Sequence, residues 1–380
     1  MTDTLQGSHP MMPGATHDEL AEQLFMVDLK YYLGGELGPA EAGLARALDT
    51  DEGLSPEQRL KNVREKIYDY DSYRSYVAVS RAAQESLWNA VRTSIMRQAD
   101  ELNDRANIEK PKGSLRVNPD FEPPRYLSAA DTHMMPGGYT ANLDEGNALQ
   151  GAMMDRGGAV YMLGRAGGLM NDGRGQTAMA HVLDRFPDLE PKRVLDMGCG
   201  VGASTLPAVQ AFPDAEVHAI DVGASVLRYA HARAEHLGYG VHFSQQSAEH
   251  TDFEDESFDL VYSCAMIHES SNSAVPNIIR EMHRLLRPGG VAVHLEVPLR
   301  YEDLDIWGQL ISDFETRYNN EPFWVGAIKA DLAGEFEKVG FRNIASGFQA
   351  ATVKAERGNK GFGDKNLGVF RSWYVASAQK

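Results

Sequence analysis

Gly198, Gly200 and Gly202 stand two residues apart in "VLDMGCGVGAST", residues 194–205, directly behind an aliphatic run that ends in Asp196. Glycine lets a backbone come close to a ligand, and the start of a following helix offers free N–H donors to it. The next aliphatic run, "EVHAID", ends in Asp221, at the distance where an acid accepts hydrogen bonds from ribose hydroxyls. Strand, glycine turn, helix and acid together spell a nucleotide-type site. Dinucleotide sites share that plan but space their glycines G-x-G-x-x-G. The order here is G-C-G-V-G behind a carboxylate, which is hostile to a pyrophosphate and suits a ligand with an amino or sulfonium charge. Taken singly, Asp196 can also cap the following turn, and Asp221 can be an ordinary strand-end acid.

A second set of residues can move protons. His268 and Glu269 in "CAMIHES" and Glu296 in "VHLEVP" follow two later aliphatic runs. Histidine accepts a proton near neutral pH, although His268 fits equally well as a hydrogen-bonded residue at a helix start. Glu296 can meet an acceptor amine, orient a base or hold an arginine. Glu249 and Asp252, in "AEHTDFEDES", read as solvated loop charges. His133, His181, His218 and the other histidines show no H-x-x-H or similar spacing, so no metal site is expected. No G-x-S-x-G elbow is present either. Cys199 and Cys264 are the two cysteines, too few for a disulfide framework, and are expected as reduced thiols.

The elements that must position these residues change character along the chain. Leu20, Leu24, Val27 and Tyr31 recur at helical spacing, as do Leu87, Val91 and Ile95 over 84–103, so residues 1–130 are expected to form a helical region that covers the pocket or builds a dimer. The proline-rich run from Lys110 to Tyr126 reads as an extended connector. Residues 131–185 are rich in Gly and Met and read either as packed loops and short helices or as a movable cap over an apolar ligand. From about residue 186 to 380, short aliphatic runs alternate with helical segments. "RVLDMG", "EVHAID", "VHFSQQ", "FDLVYSC", "GVAVHLEV", "FRNIASGFQA" and "FRSWYVASAQK" supply seven strands. A helix from Pro276 buries Ile278, Ile279, Met282, Leu285 and Leu286 and stops at "PGG". A helical insert near 301–325 carries Trp307, Ile311 and Phe314, as buried packing, a lid or a dimer contact.

Residues 190–300 resemble the class I S-adenosylmethionine-dependent methyltransferases. "VLDMGCGVGAST" is similar to that family's first motif, "IDVGASVLRYA" to its second, "QSAEHTDFEDESFDLVYSCAMIHE" to the following pair, and "EMHRLLRPGGVAVHLEV" to its helix, turn and fifth strand. The resemblance implies an α/β fold: a seven-stranded, mostly parallel Rossmann-like sheet with helices on both faces, plus the helical N-terminal region. It implies S-adenosyl-L-methionine as cofactor. Asp196, Gly198, Gly200 and Gly202 would surround the methionine part, Asp221 would meet the ribose, Ser247 and Ala248 would lie along the adenine edge, and Cys199, Val222 and Cys264 complete the cofactor-binding set. Many relatives carry Asp where Ser247 stands, so adenine would be met here by Ser247 or a backbone donor. His268, Glu269 and Glu296 become the catalytic candidates, and Tyr139, Tyr161, Met266 and Trp307 the acceptor-side ones.

A formal net charge of −17 over 380 residues would repel a phosphate backbone, which argues against nucleic acid as partner. With no signal-peptide pattern at the N-terminus and no long apolar run, a cytoplasmic protein without membrane contact is expected, as a homodimer acting on a small molecule. A protein methyltransferase, a catalytically inactive cofactor-binding partner and, less favoured, an aminopropyltransferase of the same fold are the alternatives.

Overall fold

The computed structural model describes residues 9–51, 53–142, 147–162 and 170–380. The N-terminal region is helical: α1 His17–Tyr32, α2 Gly38–Leu48, α3 Pro56–Ile67, α4 Asp71–Arg97 and α5 Ala99–Ala106. Local signals set their ends. Thr16 and Glu19 cap α1 reciprocally, as Ser55 and Gln58 cap α3, each pairing two orphan N–H groups. The helix predicted over 84–103 is two helices broken at Gln98, whose side-chain amide donates to Gly14 O and Ser94 O.

The proline-rich connector is extended in part, but it adds a strand, β1 Ser114–Arg116, and a helical turn, α6 Arg125–Ser128. Then come α7 Leu149–Tyr161 and α8 Gly173–Arg185. The rest alternates: β2 Arg193–Met197, α9 Thr205–Ala211, β3 Glu216–Asp221, α10 Ala224–His236, β4 His242–Gln245, β5 Phe258–Cys264, α11 Val275–Leu285 and β6 Leu286–Glu296. The insert forms α12 Ile306–Tyr318 and α13 Trp324–Lys329, followed by α14 Leu332–Val339, β7 Arg342–Ala350, β8 Phe362–Gly363 and β9 Ser372–Gln379.

The strands form one sheet in the order β1-β4-β3-β2-β5-β6-β9-β7-β8. β1 to β6 pair in parallel, while β9 is antiparallel to β6 and to β7. All seven predicted strands are present; β1 and β8 extend the sheet by a short strand at each edge. β2 starts the parallel series in the middle of the sheet, with β3 on one side and β5 on the other, so a crevice opens at its carboxyl end.

One sheet face packs against α8, α9 and α10 through residues such as Val182, Leu206 and Leu227. The other packs against α11 and α14 through Ile278, Met282, Leu285 and Phe336. Each such side chain contributes about 1.5–3 kcal/mol by leaving water. A third layer sets α1, α4 and α7 on α10. Here the Gly-rich segment shows its use. A Cβ on Gly151 would stand 2.2 Å from Tyr229 Cβ, and one on Gly157 2.1 Å from the Trp88 ring. The glycines of α7 therefore let it sit tightly between α4 and α10. Residues 143–146 and 163–169 of the expected cap lie outside the described residues. No helix among the described residues is long and apolar enough to cross a membrane.

Candidate active site

After β2 the chain turns through Gly198 at φ 72° and Gly200 at φ 51°, a left-handed backbone that glycine adopts without steric cost. A Cβ on Gly198 would meet Met266 Cγ at 2.4 Å, and one on Gly200 would meet Met154 Cε at 2.7 Å. The N–H groups of Gly198 and Cys199 donate to Ile220 O at 2.8 and 2.9 Å, which pins the turn to β3. Asp221 ends β3. Its Oδ2 accepts from Gly200 N–H at 2.9 Å and its Oδ1 from Gly223 N–H at 3.0 Å, leaving a lone pair on each oxygen for a ligand hydroxyl. Burial raises the Asp221 pKa against the pull of those backbone donors.

Asp196 departs from the sequence expectation. It is fully buried beneath the loop, outside the cavity wall. Thr205 Oγ1 donates to its Oδ2 at 2.7 Å, tying α9 to the end of β2, while Oδ1 has no hydrogen-bond partner among the described residues. Burial pushes this carboxyl up to about 7. Gly202 also lies outside the wall; its φ of 74° is what favours glycine there, since a Cβ would find only ordinary contact with Phe243 and Ala230.

A cavity of about 630 Å³ opens over the carboxyl ends of the parallel strands, within the size range of small-molecule sites. Gly198, Cys199, Gly200, Asp221, Val222, Ser247, Ala248 and Cys264 line it on the cofactor side. Tyr139, Tyr161, Met266, Trp307, His268 and Glu269 line it on the other. Trp307 serves packing too, with its ring 5.8 Å from that of Tyr76. Gln246 lines the cavity beside Ser247. Glu249 and Asp252 are not free loop charges: Glu249 accepts from Tyr126 and Asn277, and Asp252 pairs with Arg116.

Glu296, at the end of β6, lies behind the wall. Its Oε1 accepts from the N–H groups of Met266 and Ile267 at 2.9 and 2.6 Å, and its Oε2 lies 2.8 Å from His268 Nδ1. His268 Nε2 lies 3.3 Å from Glu269 Oε1. The same Glu269 oxygen accepts from Tyr139 Oη at 2.8 Å and meets His133 Nε2 at 2.8 Å. His133 Nδ1 makes an ion pair with Glu321 Oε1 at 2.7 Å, off the hydrogen-bond axis. Burial works to lower the pKa of both histidines, but the flanking carboxylates outweigh it. Glu321 and Glu269 hold His133 at about 10, and Glu296 and Glu269 hold His268 well above its usual value. In this arrangement both ring nitrogens of His268 face carboxylates, Nδ1 that of Glu296 and Nε2 that of Glu269.

Sequence reasoning missed part of this network. Lys30, His133 and the pair Glu315 and Glu321 stand far from one another in the chain, and no local spacing marks them. Burial pushes Lys30 down to about 8, with its Nζ 4.1 Å from the Tyr161 ring centre and bonded to Gln84. Burial raises Glu315 to about 7, and Glu321 adds to that rise. Non-glycine residues in the left-handed region mark the place: His133 at φ 56°, Met134 at φ 59° and Ala265 at φ 55°. Such strain gathers where the fold must aim a side chain. Gln84 and Trp88 of α4 hold the turn by donating to His133 O at 3.0 and 2.7 Å.

Residues 194–290 match the family model described as a methyltransferase domain. The chain is 30% identical over 126 residues to the fatty-acid O-methyltransferase of Mycolicibacterium smegmatis, a match covering 33% of this chain and 44% of that protein. It is 34% identical over 110 residues to a probable phthiotriol/phenolphthiotriol dimycocerosates methyltransferase of Mycobacterium ulcerans, covering 29% and 41%. It is 33% identical over 112 residues to the trans-aconitate 2-methyltransferase of Methylobacterium radiotolerans, covering 30% and 40%. The matched segment thus spans less than half the length of these relatives. The glycine loop, the strand-end acid, the strand order and the match of residues 194–290 to a methyltransferase-domain model make this part of the chain similar to the class I S-adenosylmethionine-dependent methyltransferases.

Proposed function

We propose that the protein methylates a small molecule bound in the cavity between the sheet and the N-terminal helices, with S-adenosylmethionine as methyl donor. One observation carries the reading: the glycine loop with Asp221 and the aromatic wall of Tyr139, Tyr161 and Trp307 belong to a single cavity. The residues fit the cofactor. The glycine loop leaves its backbone bare at the cavity wall, and Asp221, which lines the same wall, accepts one backbone N–H on each oxygen and so keeps acceptor capacity for a hydroxyl. Gly198 and Gly200 would hold the methionine end, Asp221 the ribose, and Gln246, Ser247 and Ala248 the adenine edge. When bound, the cofactor supplies an electrophilic methyl group on a sulfonium.

The chain's own contribution is chiefly placement. Orienting two reactants is worth of order 7–11 kcal/mol. Trp88, Met135, Met154 and Tyr161 give the acceptor an apolar seat, and the His268–Glu269–Tyr139 group gives it a polar stop. The relatives named for a fatty acid and for trans-aconitate support a metabolite acceptor over a macromolecule.

Calorimetric titration with S-adenosylmethionine and S-adenosylhomocysteine tests the donor half: saturable binding of both is expected, and Asp221→Ala should abolish it. Binding of a nicotinamide dinucleotide in their place would overturn the reading. Turnover is then sought on carboxylic, phenolic and amine metabolites. Methylation confined to protein in a cell extract would overturn the small-molecule acceptor.

A further inference from the structure

We propose that Nε2 of His133, Nε2 of His268 and the carboxylate of Glu269 form a binding site for a divalent transition metal ion, zinc(II) being the best fit to two imidazoles and a carboxylate. Ion binding here goes beyond the methyl-transfer reading and is tested without it, whereas a role for the ion toward the acceptor rests on that reading. Its ligand atoms come from the turn before α7 and from the loop after β5, and all lie within 4.8 Å of one another. Tetrahedral ligands 2.0–2.1 Å from a zinc ion stand about 3.4 Å apart. Glu269 Oε1 already lies 2.8 Å from His133 Nε2 and 3.3 Å from His268 Nε2, so an ion would be seated by small side-chain shifts together with release of the protons on the two Nε2 atoms to solvent.

The surroundings favour an ion over a plain ion-pair cluster. Each histidine sets its Nε2 against Glu269 and has a second carboxylate at its Nδ1: Glu296 is hydrogen-bonded to His268, and Glu321 forms an ion pair with His133 off the hydrogen-bond axis. Carboxylates behind histidine ligands fix the ring orientation and raise the basicity of the metal-facing nitrogen. Three carboxylates thus surround two imidazoles. Glu321 is 1% exposed, and its Oε2 has no hydrogen-bond partner among the described residues. The left-handed backbone at His133 and Met134, held by Trp88 and Gln84, is the kind of strain a fold keeps to aim a ligand. His133, His268 and Glu269 all line the cavity. With three protein ligands the fourth position faces the cavity, where an acceptor oxygen would be held and polarised.

The test uses tag-free, full-length protein stripped with a chelator and titrated with Zn²⁺ by calorimetry. S-adenosylhomocysteine affinity is measured separately as a check on the fold. One equivalent of Zn²⁺ is expected to bind. His133→Ala and His268→Ala should each weaken it by about 100-fold or more, and Glu321→Gln by roughly 10- to 100-fold. Absence of a saturable Zn²⁺ isotherm in the wild type overturns the proposal, as does undiminished affinity in both folded histidine variants. Should those variants fail to fold, X-ray absorption of the zinc-loaded wild type decides. Two imidazoles in the coordination sphere support the site, and an all-oxygen sphere overturns it.

Discussion

The two walls of the cavity are built on opposite plans. The centre of the cofactor wall is contiguous in sequence: the loop after β2, the acid ending β3 and the backbone groups that hold them lie within residues 198–223. The acceptor wall is assembled from α1, the turn before α7, the loops after β5 and β6, and the insert around Glu321. Its groups are side chains that satisfy one another. A wall made of backbone tolerates loss of a side chain locally, whereas a wall of interlocked charges leaves buried partners stranded when one is removed.

Glu296 should show that difference most sharply. Glu296→Ala would strand the N–H groups of Met266 and Ile267 together with His268 Nδ1, all at a buried position. Removing one partner of a buried charged pair costs about 3–5 kcal/mol, readable as a lowered urea midpoint. Glu296→Gln keeps an acceptor for the two N–H groups and should cost about 1–3 kcal/mol. Equal losses in the two variants would mean that the backbone contacts are not what holds the loop after β5.

Histidines sharpen the contrast, because the sheet buries two that stay neutral. His181 lies between Gln349 and Ser377, and His294 accepts or donates at Nδ1 with Ser263 while its ring stacks on Phe336. Burial without a carboxylate contact holds each pKa down at about 4. The unfolded chain, with histidine near 6.5, therefore takes up protons that the folded chain refuses. Their contribution to stability is complete above pH 6.5 and is lost as pH falls toward 4, by up to about 3 kcal/mol per histidine. His294→Gln should flatten the fall in urea midpoint between pH 6.5 and 4; an unchanged slope would show that the imidazole is not responsible.

On the cofactor wall the expected effect is smaller and falls on binding. Asp221→Asn keeps an acceptor for one backbone N–H but loses the charge that a pair of ribose hydroxyls would meet. A hydrogen bond to a charged group contributes about 1.5–3 kcal/mol, so S-adenosylhomocysteine affinity should fall by roughly 10- to 100-fold. A urea midpoint lowered as far as in Glu296→Ala would erase the distinction between the walls.

That distinction also governs what the sequence can reveal. The seven strands and the glycine loop are legible because they depend on local alternation and on residue types at fixed spacing, as in Val194 to Gly202. Short edge strands such as Ser114–Arg116 carry too few residues for a pattern, and pair because β4 offers an open edge. Asp196 is found as a residue, but its depth beneath the loop follows from the packing of α9, which no spacing encodes. His133 and His268 are 135 positions apart, and only the fold brings them to one carboxylate. The Gly and Met content of residues 131–185 points to a cavity wall, but it does not separate glycines that permit movement from glycines that permit contact.

Adjacent glycines of α7 make that last question testable, since they sit in opposite surroundings on one helix. A Cβ on Gly157 would lie 2.1 Å from Trp88 Cζ3, whereas one on Gly158 would find only Asn171 Nδ2 at 3.5 Å. Alanine gains up to about 1 kcal/mol over glycine in a helix interior, and forcing an atom into a packed core costs about 1–3 kcal/mol. Gly157→Ala should therefore destabilise by up to about 2 kcal/mol net, and Gly158→Ala should raise the urea midpoint slightly. Because Trp88 Nε1 donates to His133 O, the Gly157 variant would also disturb the acceptor wall while S-adenosylhomocysteine affinity stays near that of the wild type. If both variants stabilise alike, Trp88 yields freely, and α7 is the movable cap that its composition allows.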